Sequence, residues 1–200
     1  MNENLIKALS QQKIFPIIRS NDPNVVVNTV DALVKGGLNI MEINVETPHI
    51  YEAIKDVSQH AHICAGGIIT SLQAQAAISS GAKFFSSPIF HMNLVKLSKD
   101  KRIPYLAGTS TANEAYQAWK SRIPLVKIYP IAAMGGASYL EDILRPMPFL
   151  NVLPQGSVKL SEVKQYIDAG AFAVGIGRDL FDGRSYSEIT DVVRETLAKL

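Results

Sequence analysis

The sequence predicts an α/β protein: a (β/α)₈ TIM barrel with a short N-terminal helix, residues 1–200 forming one domain. Three observations predict it. β-Branched or aromatic runs alternate with amphipathic stretches along the whole chain. The runs number eight, at about 20–25 residues per unit, the repeat of such a barrel. No strong dinucleotide fingerprint follows any of them, which counts against the competing doubly wound open sheet. No low-complexity tract or Pro/Gly-rich linker offers a place to divide the chain.

Taken in order, an amphipathic segment (3–12) precedes the first strand, IFPIIR (14–19). A helix over 22–37 follows, with Asp22 as N-cap, Pro23 in the first turn and Gly36–Gly37 as the stop. NIMEIN (39–44) and HICAG (62–66) are the next strands. SLQAQAAISSGA (71–82) is helical and closes on glycine before KFFSS (83–87) and IPYLAG (103–108). The later strands are LVKIY (125–129), FLNVL (149–153) and AVGIG (173–177), with a helix over 159–171 between the last two. A helix over 185–200 ends the chain, capped by Ser185 or Ser187 with Glu188 in the first turn.

Composition narrows the function classes. The formal net charge is only +2, from 20 basic and 18 acidic residues, with no block of one sign, so neither nucleic acid nor an anionic membrane is an expected partner. No apolar run is long enough to span a bilayer. Cys64 is the lone cysteine, which excludes an intrachain disulfide, and the opening MNENLIKALSQQ is polar, unlike a secretory signal. A cytoplasmic protein is expected.

Barrel active sites lie at the C-terminal ends of the strands. Side chains alternate along a strand, so Leu125, Lys127 and Tyr129 face one way, and Val126 and Ile128 the other. The Val/Ile face suits the outer helices, which sends Lys127 into the barrel. The same phase sends Ile40, Glu42 and Asn44 inward and puts Arg19 at the mouth. The interior of an eight-stranded barrel is narrow enough for Lys127 and Glu42 to approach one another. The bland reading is an ion pair that only neutralises itself. The functional reading is imine chemistry. Burial disfavours the charged form of an amine, a neutral amine attacks a ketone, and a nearby carboxylate moves protons.

The loops after the last two strands hold Gly156 and Ser157, then Gly177 and Arg178. Barrels often bind phosphate there, with backbone N–H groups, a helix N-terminus and here an arginine fork. The plain alternative makes the glycines turn residues and pairs Arg178 with Asp179. Cys64 reads as core. His60 and His62 lie at the wrong end of their strand, and His49 and His91 lack metal-ligand spacing. Tyr116 and Trp119, in TANEAYQAWKSR, are expected on the packed face of their helix. Neither a metal nor another cofactor is expected.

These residues resemble the 2-keto-3-deoxy-6-phosphogluconate / 4-hydroxy-2-oxoglutarate aldolase family, including its phosphogalactonate branch. The carrying segments are IFPIIRS, GGLNIMEINVETP, ICAGGI, FFSSP, IPYLAGTSTANEA, LVKIYPIAAMGG and AVGIGRDLF. The resemblance implies a class I aldolase that cleaves a 2-keto-3-deoxy sugar acid, of phosphogluconate type, or 4-hydroxy-2-oxoglutarate, to pyruvate and an aldehyde. It implies Lys127 as the Schiff-base lysine and Glu42 as general acid/base. It makes Arg19, Gly66, Pro88, Gly156, Ser157, Gly177 and Arg178 substrate-binding positions, for a small 2-keto acid expected to be phosphorylated, and it implies a homotrimer. Departures cluster around the substrate: Gly67 replaces a threonine, Gln155 and Ser157 fall in a Pro-Thr-Gly-Gly pattern, Arg178 replaces a serine, Ala107 a proline, and Glu46 an arginine of some members. The rival readings are a phosphosugar isomerase or epimerase with Glu42 as base, and a non-catalytic sugar-acid-binding relative.

Overall fold

A computed structural model describes residues 3–200; Met1 and Asn2 of the polar opening lie outside the described residues. Helix α1 (Glu3–Gln12) leads into β1 (Ile14–Ile18), α2 (Pro23–Gly36) and β2 (Ile40–Asn44). Then come α3 (Ile50–Val57), β3 (His62–Gly66), α4 (Ser71–Ser79), β4 (Phe84–Ser86), α5 (Met92–Lys101), β5 (Tyr105–Thr109), α6 (Ala112–Lys120) and β6 (Val126–Ile128). The chain continues through α7 (Ile131–Met134), α8 (Gly136–Leu144), β7 (Val152–Pro154), a 3-10 turn (Leu160–Glu162), α9 (Val163–Asp168), β8 (Val174–Ile176), α10 (Arg178–Phe181) and α11 (Tyr186–Leu197).

The strands form a parallel sheet in the order β7-β6-β5-β4-β3-β2-β1-β8. The two ends meet. Gln155 bridges to Gly175, and the Phe172 N–H donates to the Val152 carbonyl at 2.8 Å. The sheet is thus a nearly closed (β/α)₈ barrel, as predicted. These contacts cover the two end strands, which satisfies backbone groups an open sheet would expose.

Strand alternation sorts the core into two layers. Met41, Ile43, Ile63, Ala65, Phe85, Val126, Ile128, Val152, Val174 and Ile176 point outward and pack under the helices. Phe15, Ile17, Ile40, Cys64, Phe84, Leu106, Leu125, Leu153 and Ala173 fill the inside, and Leu5 and Leu9 of α1 cap it from below. Each large apolar side chain buried this fully contributes about 1.5–3 kcal/mol. That sum lets the barrel carry a polar layer above it. Gln12 secures the lower rim: its amide donates to the carbonyls of Ile14 (2.8 Å) and Ile40 (2.6 Å), and its oxygen accepts the N–H groups of Asn39 (2.9 Å) and Ile40 (3.0 Å).

Local signals place the helices. The Asp22 carboxylate accepts the Asn24 N–H at 2.8 Å, and Gly37 ends α2 at φ 106°, a left-handed turn that glycine adopts freely. Capping boxes at Thr70/Gln73, Thr111/Glu114 and Ser185/Glu188 start α4, α6 and α11.

Two expectations shift. The strand placed at 149–153 begins only at Val152, because the Leu150 N–H turns back to the Met147 carbonyl (3.1 Å) and Phe149 faces out. The helix placed at 159–171 opens as the 3-10 turn, with the Asp179 carboxylate taking the Leu160 N–H at 2.7 Å. A third is overturned. Ala115 and Ala118 are the packed face of α6, whereas Tyr116 and Trp119 are 40% and 41% exposed, the Trp119 ring lying tilted against Phe149 with centroids 4.4 Å apart. Alanine is what fits where a helix lies close on the sheet, so the aromatics turn outward.

Candidate active site

The polar layer sits at the upper ends of the strands. Glu42, Asn44, Ser86, Lys127 and Gln155 are all buried there, each no more than 3% exposed. Register puts them side by side: Glu42 pairs with Cys64 on β3, which pairs with Phe84, two residues before Ser86. On the other side Lys127 pairs with Gly108 and Leu153, two residues before Gln155. Residues spaced by two share a face, so every one of them points inward.

The sequence expectation that Lys127 and Glu42 meet inside the barrel holds, with a third residue between them. Lys127 Nζ donates to Ser86 Oγ at 2.9 Å, and Ser86 Oγ donates to Glu42 Oε2 at 2.7 Å. The Gln155 amide reaches the other carboxylate oxygen, Oε1, at 3.4 Å. The Tyr129 ring walls the amine, its centroid 5.9 Å from Nζ. The Thr109 hydroxyl donates to the Lys127 carbonyl at 3.1 Å and ties β5 to β6 at this level. A buried ammonium and carboxylate each cost several kcal/mol in lost hydration, so they persist only with such partners.

Above this layer opens a cavity of about 760 Å³. It brings together Arg19, Gly156, Ser157, Gly177 and Arg178, the predicted anion-holding positions, with Gln155 and Tyr129 at its floor. Lys159 and Arg184 add two cations to the wall, and Asp179 and Asp182 two acids. Asp179 is engaged by Leu160, and its carbonyl accepts from Arg184 at 2.6 Å. Among the described residues no carboxylate lies in ion-pair range of Arg178, so the expected alternative of an Arg178–Asp179 pair is absent. Arg19 does have a partner, Glu46, at 3.4 Å. Both side chains are more than a third exposed, so the pair contributes at most about 1 kcal/mol and yields readily to an anion. Helix α10 is a single turn, so its field on the cavity is small beside the charge of Arg178.

Gly156 is needed for shape as well as conformation. Its φ is 110°, and a Cβ there would lie 2.9 Å from Pro130 Cα. Ser157 follows at φ 55°, so two left-handed residues turn the chain over the mouth.

Gly66 and Pro88 lie outside that lining. A Cβ on Gly66 would collide with Glu42 Oε1 and Asn44 Oδ1, so this glycine makes room for the carboxylate. Pro88 crosses over Gly108, whose own Cβ would strike the Pro88 carbonyl. The Tyr105 hydroxyl holds that loop by donating to the Ile89 carbonyl at 2.7 Å, its pKa pushed up to about 12 by burial.

Ser86 was missed in the sequence, although it follows Phe84 in the inward phase of KFFSS. Gln155 stood out only as a departure. Both carry orphan signals nearby: Asn44 Oδ1 and Gln155 Oε1 are buried without a partner. Buried acceptors are seldom left unpaired, and such atoms mark where a ligand hydroxyl or water is taken up. Cys64 is fully buried below the site, and burial, with Glu42 adding, holds its thiol well above the usual range. It remains a core residue. His91 caps α5, its Nδ1 accepting the Asn93 N–H at 3.2 Å. Among the described residues no group of three or more His, Cys, Asp or Glu is placed to hold a metal, and no helix is long and apolar enough to cross a membrane. A second cavity, about 850 Å³, lies at the opposite end between α1 and the starts of β6–β8, lined by Trp119, Phe149 and Phe172. It is larger but apolar, and it holds none of the chemistry.

Known proteins match nearly the whole chain. The family model "KDPG and KHG aldolase" matches residues 5–194. A 2-dehydro-3-deoxy-phosphogluconate aldolase of Haemophilus influenzae is 28% identical, covering 98% of this chain and 96% of its own. One from Pseudomonas aeruginosa is 26% identical over 94% of this chain and 90% of its own. The crystal structure of 2-keto-3-deoxy-6-phospho-gluconate aldolase from Zymomonas mobilis superposes with a TM-score of 0.89 at 23% identity, covering 96% of each chain. With a family model spanning nearly all of it, this chain belongs to the KDPG and KHG aldolase family.

Proposed function

We propose that this protein is a Schiff-base aldolase, a carbon–carbon lyase that splits a 2-keto-3-deoxy sugar acid or 4-hydroxy-2-oxoglutarate into pyruvate and an aldehyde. The observation that carries the reading is a buried lysine and a buried carboxylate, joined by one hydroxyl, at the upper end of a closed barrel and under a cation-lined cavity. Family membership supports it.

Lys127 adds to the C2 ketone, and loss of water gives a protonated imine. The imine is an electron sink. Glu42, directly or through water, takes the proton of the C4 hydroxyl. The C3–C4 bond then breaks, its electron pair passing into the imine as an enamine, and the aldehyde leaves. Protonation at C3 and hydrolysis release pyruvate and restore the amine. The orphaned Asn44 and Gln155 oxygens suit substrate hydroxyls, and Arg19 and Arg178, with the Gly156–Ser157 and Gly177 backbone, suit the carboxylate and a distal phosphate. The family resemblance supports a homotrimer of one-domain barrels; the balanced charge and the single cysteine support a cytoplasmic protein with no nucleic-acid or membrane partner.

The test is intact mass after incubation with pyruvate and sodium borohydride, then peptide mapping. A reduced pyruvate adduct on Lys127 is expected. A folded sample that takes up no adduct would remove imine catalysis.

A further inference from the structure

Lys127 and Glu42 are linked through one buried side chain, Ser86. The amine and the carboxylate form no direct ion pair. Ser86 Oγ lies between them, accepting from Lys127 Nζ at 2.9 Å and donating to Glu42 Oε2 at 2.7 Å. Both hydrogens therefore point the same way, from nitrogen to carboxylate. Ser86 is fully buried, and Ala would fit β4 equally well. The hydroxyl is thus explained by its two partners and not by packing.

We propose that Ser86 is a positioning residue that relays the proton between Lys127 and Glu42 while the imine forms; this rests on the aldolase reading above. The steps balance. The Lys127 ammonium passes a proton to Ser86 Oγ as Ser86 passes its own to Glu42 Oε2, leaving a neutral amine, a neutral hydroxyl and a carboxylic acid. The amine lone pair attacks the keto carbon, and the carbonyl π pair moves onto oxygen. One N–H proton shifts to that oxygen to give the carbinolamine. Glu42 returns its proton to the hydroxyl, water leaves, and the nitrogen lone pair closes the protonated imine. Ammonium plus ketone has become imine plus water, with Glu42 a carboxylate again.

The other titratable groups facing this spot are Cys64, from β3, and Tyr129, beyond the end of β6. Buried below the site, the Cys64 thiol keeps its proton and does not compete for it. Gln155 holds the far oxygen of Glu42 and leaves Oε2 for the relay.

The experiment times imine formation. Enzyme and pyruvate are mixed, quenched with borohydride at intervals, and read by intact mass across a pH series, for wild type, Ser86→Ala and Ser86→Thr. Ser86→Ala is expected to form the adduct about a hundredfold more slowly at neutral pH, in the range for loss of a proton-transfer partner. The deficit shrinks as pH rises, because hydroxide then strips the ammonium directly. Ser86→Thr, which keeps the hydroxyl, restores most of the rate. Rates for Ser86→Ala that match wild type overturn the relay, and so does an equal loss at every pH that Ser86→Thr shares. A proton inventory on wild type in mixed H₂O and D₂O needs no variant: a curved dependence fits two protons in flight, and a linear one overturns the proposal. A wild type that takes no adduct sinks the aldolase reading and the relay with it, whereas a labelled wild type with an unaffected Ser86→Ala sinks the relay alone.

Discussion

Lys127 and Glu42 sit on strands far apart in the chain yet share one hydrogen-bonding partner, the Ser86 hydroxyl, 2.9 Å from the amine and 2.7 Å from the carboxylate. The arrangement separates two tasks. Lys127 lies under the Tyr129 ring, which lines the cavity, while Glu42 is held on both oxygens, by Ser86 and by Gln155. A buried pair kept only for stability would make the direct contact, since the Coulomb term is what offsets desolvation. A gap bridged by a hydroxyl fits proton transfer better than it fits a structural ion pair.

Lys127→Ala should therefore abolish cleavage, by a factor on the order of 10⁴ or more, as for removal of other covalent nucleophiles. It should also abolish the borohydride adduct. Circular dichroism should stay native, because the lower barrel layers carry the stability. Retention of cleavage in this variant would exclude an imine.

Glu42→Gln keeps the shape and removes the base. Cleavage should fall roughly 10²- to 10⁴-fold, the usual range for losing a general acid/base. Lys127 should still be labelled, more slowly. The comparison of steady-state cleavage with adduct formation checks this, and equal activity of the variant would remove Glu42 from the chemistry.

Arg178→Ser tests the cavity wall. Arg178 has no carboxylate partner among the described residues, so its charge is available to a substrate anion. A hydrogen bond to a charged group contributes about 1.5–3 kcal/mol, so kcat/KM for a phosphorylated acid should drop roughly 10- to 100-fold. The value for an unphosphorylated acid should move little. Parallel kinetics on both substrates decides it: an unchanged ratio means that Arg178 does not read the distal group.

Acid should weaken the start of α6. The Ser110 backbone N–H, foremost among several hydrogen bonds, holds the Glu114 carboxyl below its ordinary range. A group depressed on folding stabilises the protein above its unfolded pKa, and that stability is lost as pH falls through the lower folded value. Glu114→Gln should thus flatten the loss of thermal stability seen on acidification below about pH 4. Identical Tm-against-pH curves for variant and wild type would show that the cap does not matter to acid stability.

Much of this was legible in the sequence because it follows from strand phase. Once LVKIY and NIMEIN are strands, period two alone sends Lys127 and Glu42 inward, and barrel closure makes them neighbours. The same phase applied to KFFSS would have found Ser86, but a lone serine carries no charge that demands a partner, so nothing drew attention to it. Tyr116 and Trp119 were misplaced for a different reason. Hydrophobicity says that a side chain prefers burial, but only the geometry of the packed face says that alanine is what fits there. The ion pair of Arg19 with Glu46 and the freedom of Arg178 were not readable either, because loop side chains have no period.

Gly156→Ala probes how the mouth is built, and Gly183→Ala is its control. Both glycines have positive φ, 110° and 73°. A Cβ at Gly183 meets nothing within 4 Å, whereas at Gly156 it comes within 2.9 Å of Pro130 Cα and 3.1 Å of the Tyr129 ring. Gly183→Ala should cost only the backbone strain of a left-handed alanine, about 1 kcal/mol, or a Tm lower by roughly 2–4 °C. Gly156→Ala should cost clearly more, since Pro130 must also move. Because Pro130 follows Tyr129, which walls Lys127, the same displacement should reach the amine and lower kcat as well as Tm. Thermal unfolding and steady-state kinetics on the two variants separate these effects. If both lose the same stability and neither loses rate, the approach of Gly156 to Pro130 does not position the lysine.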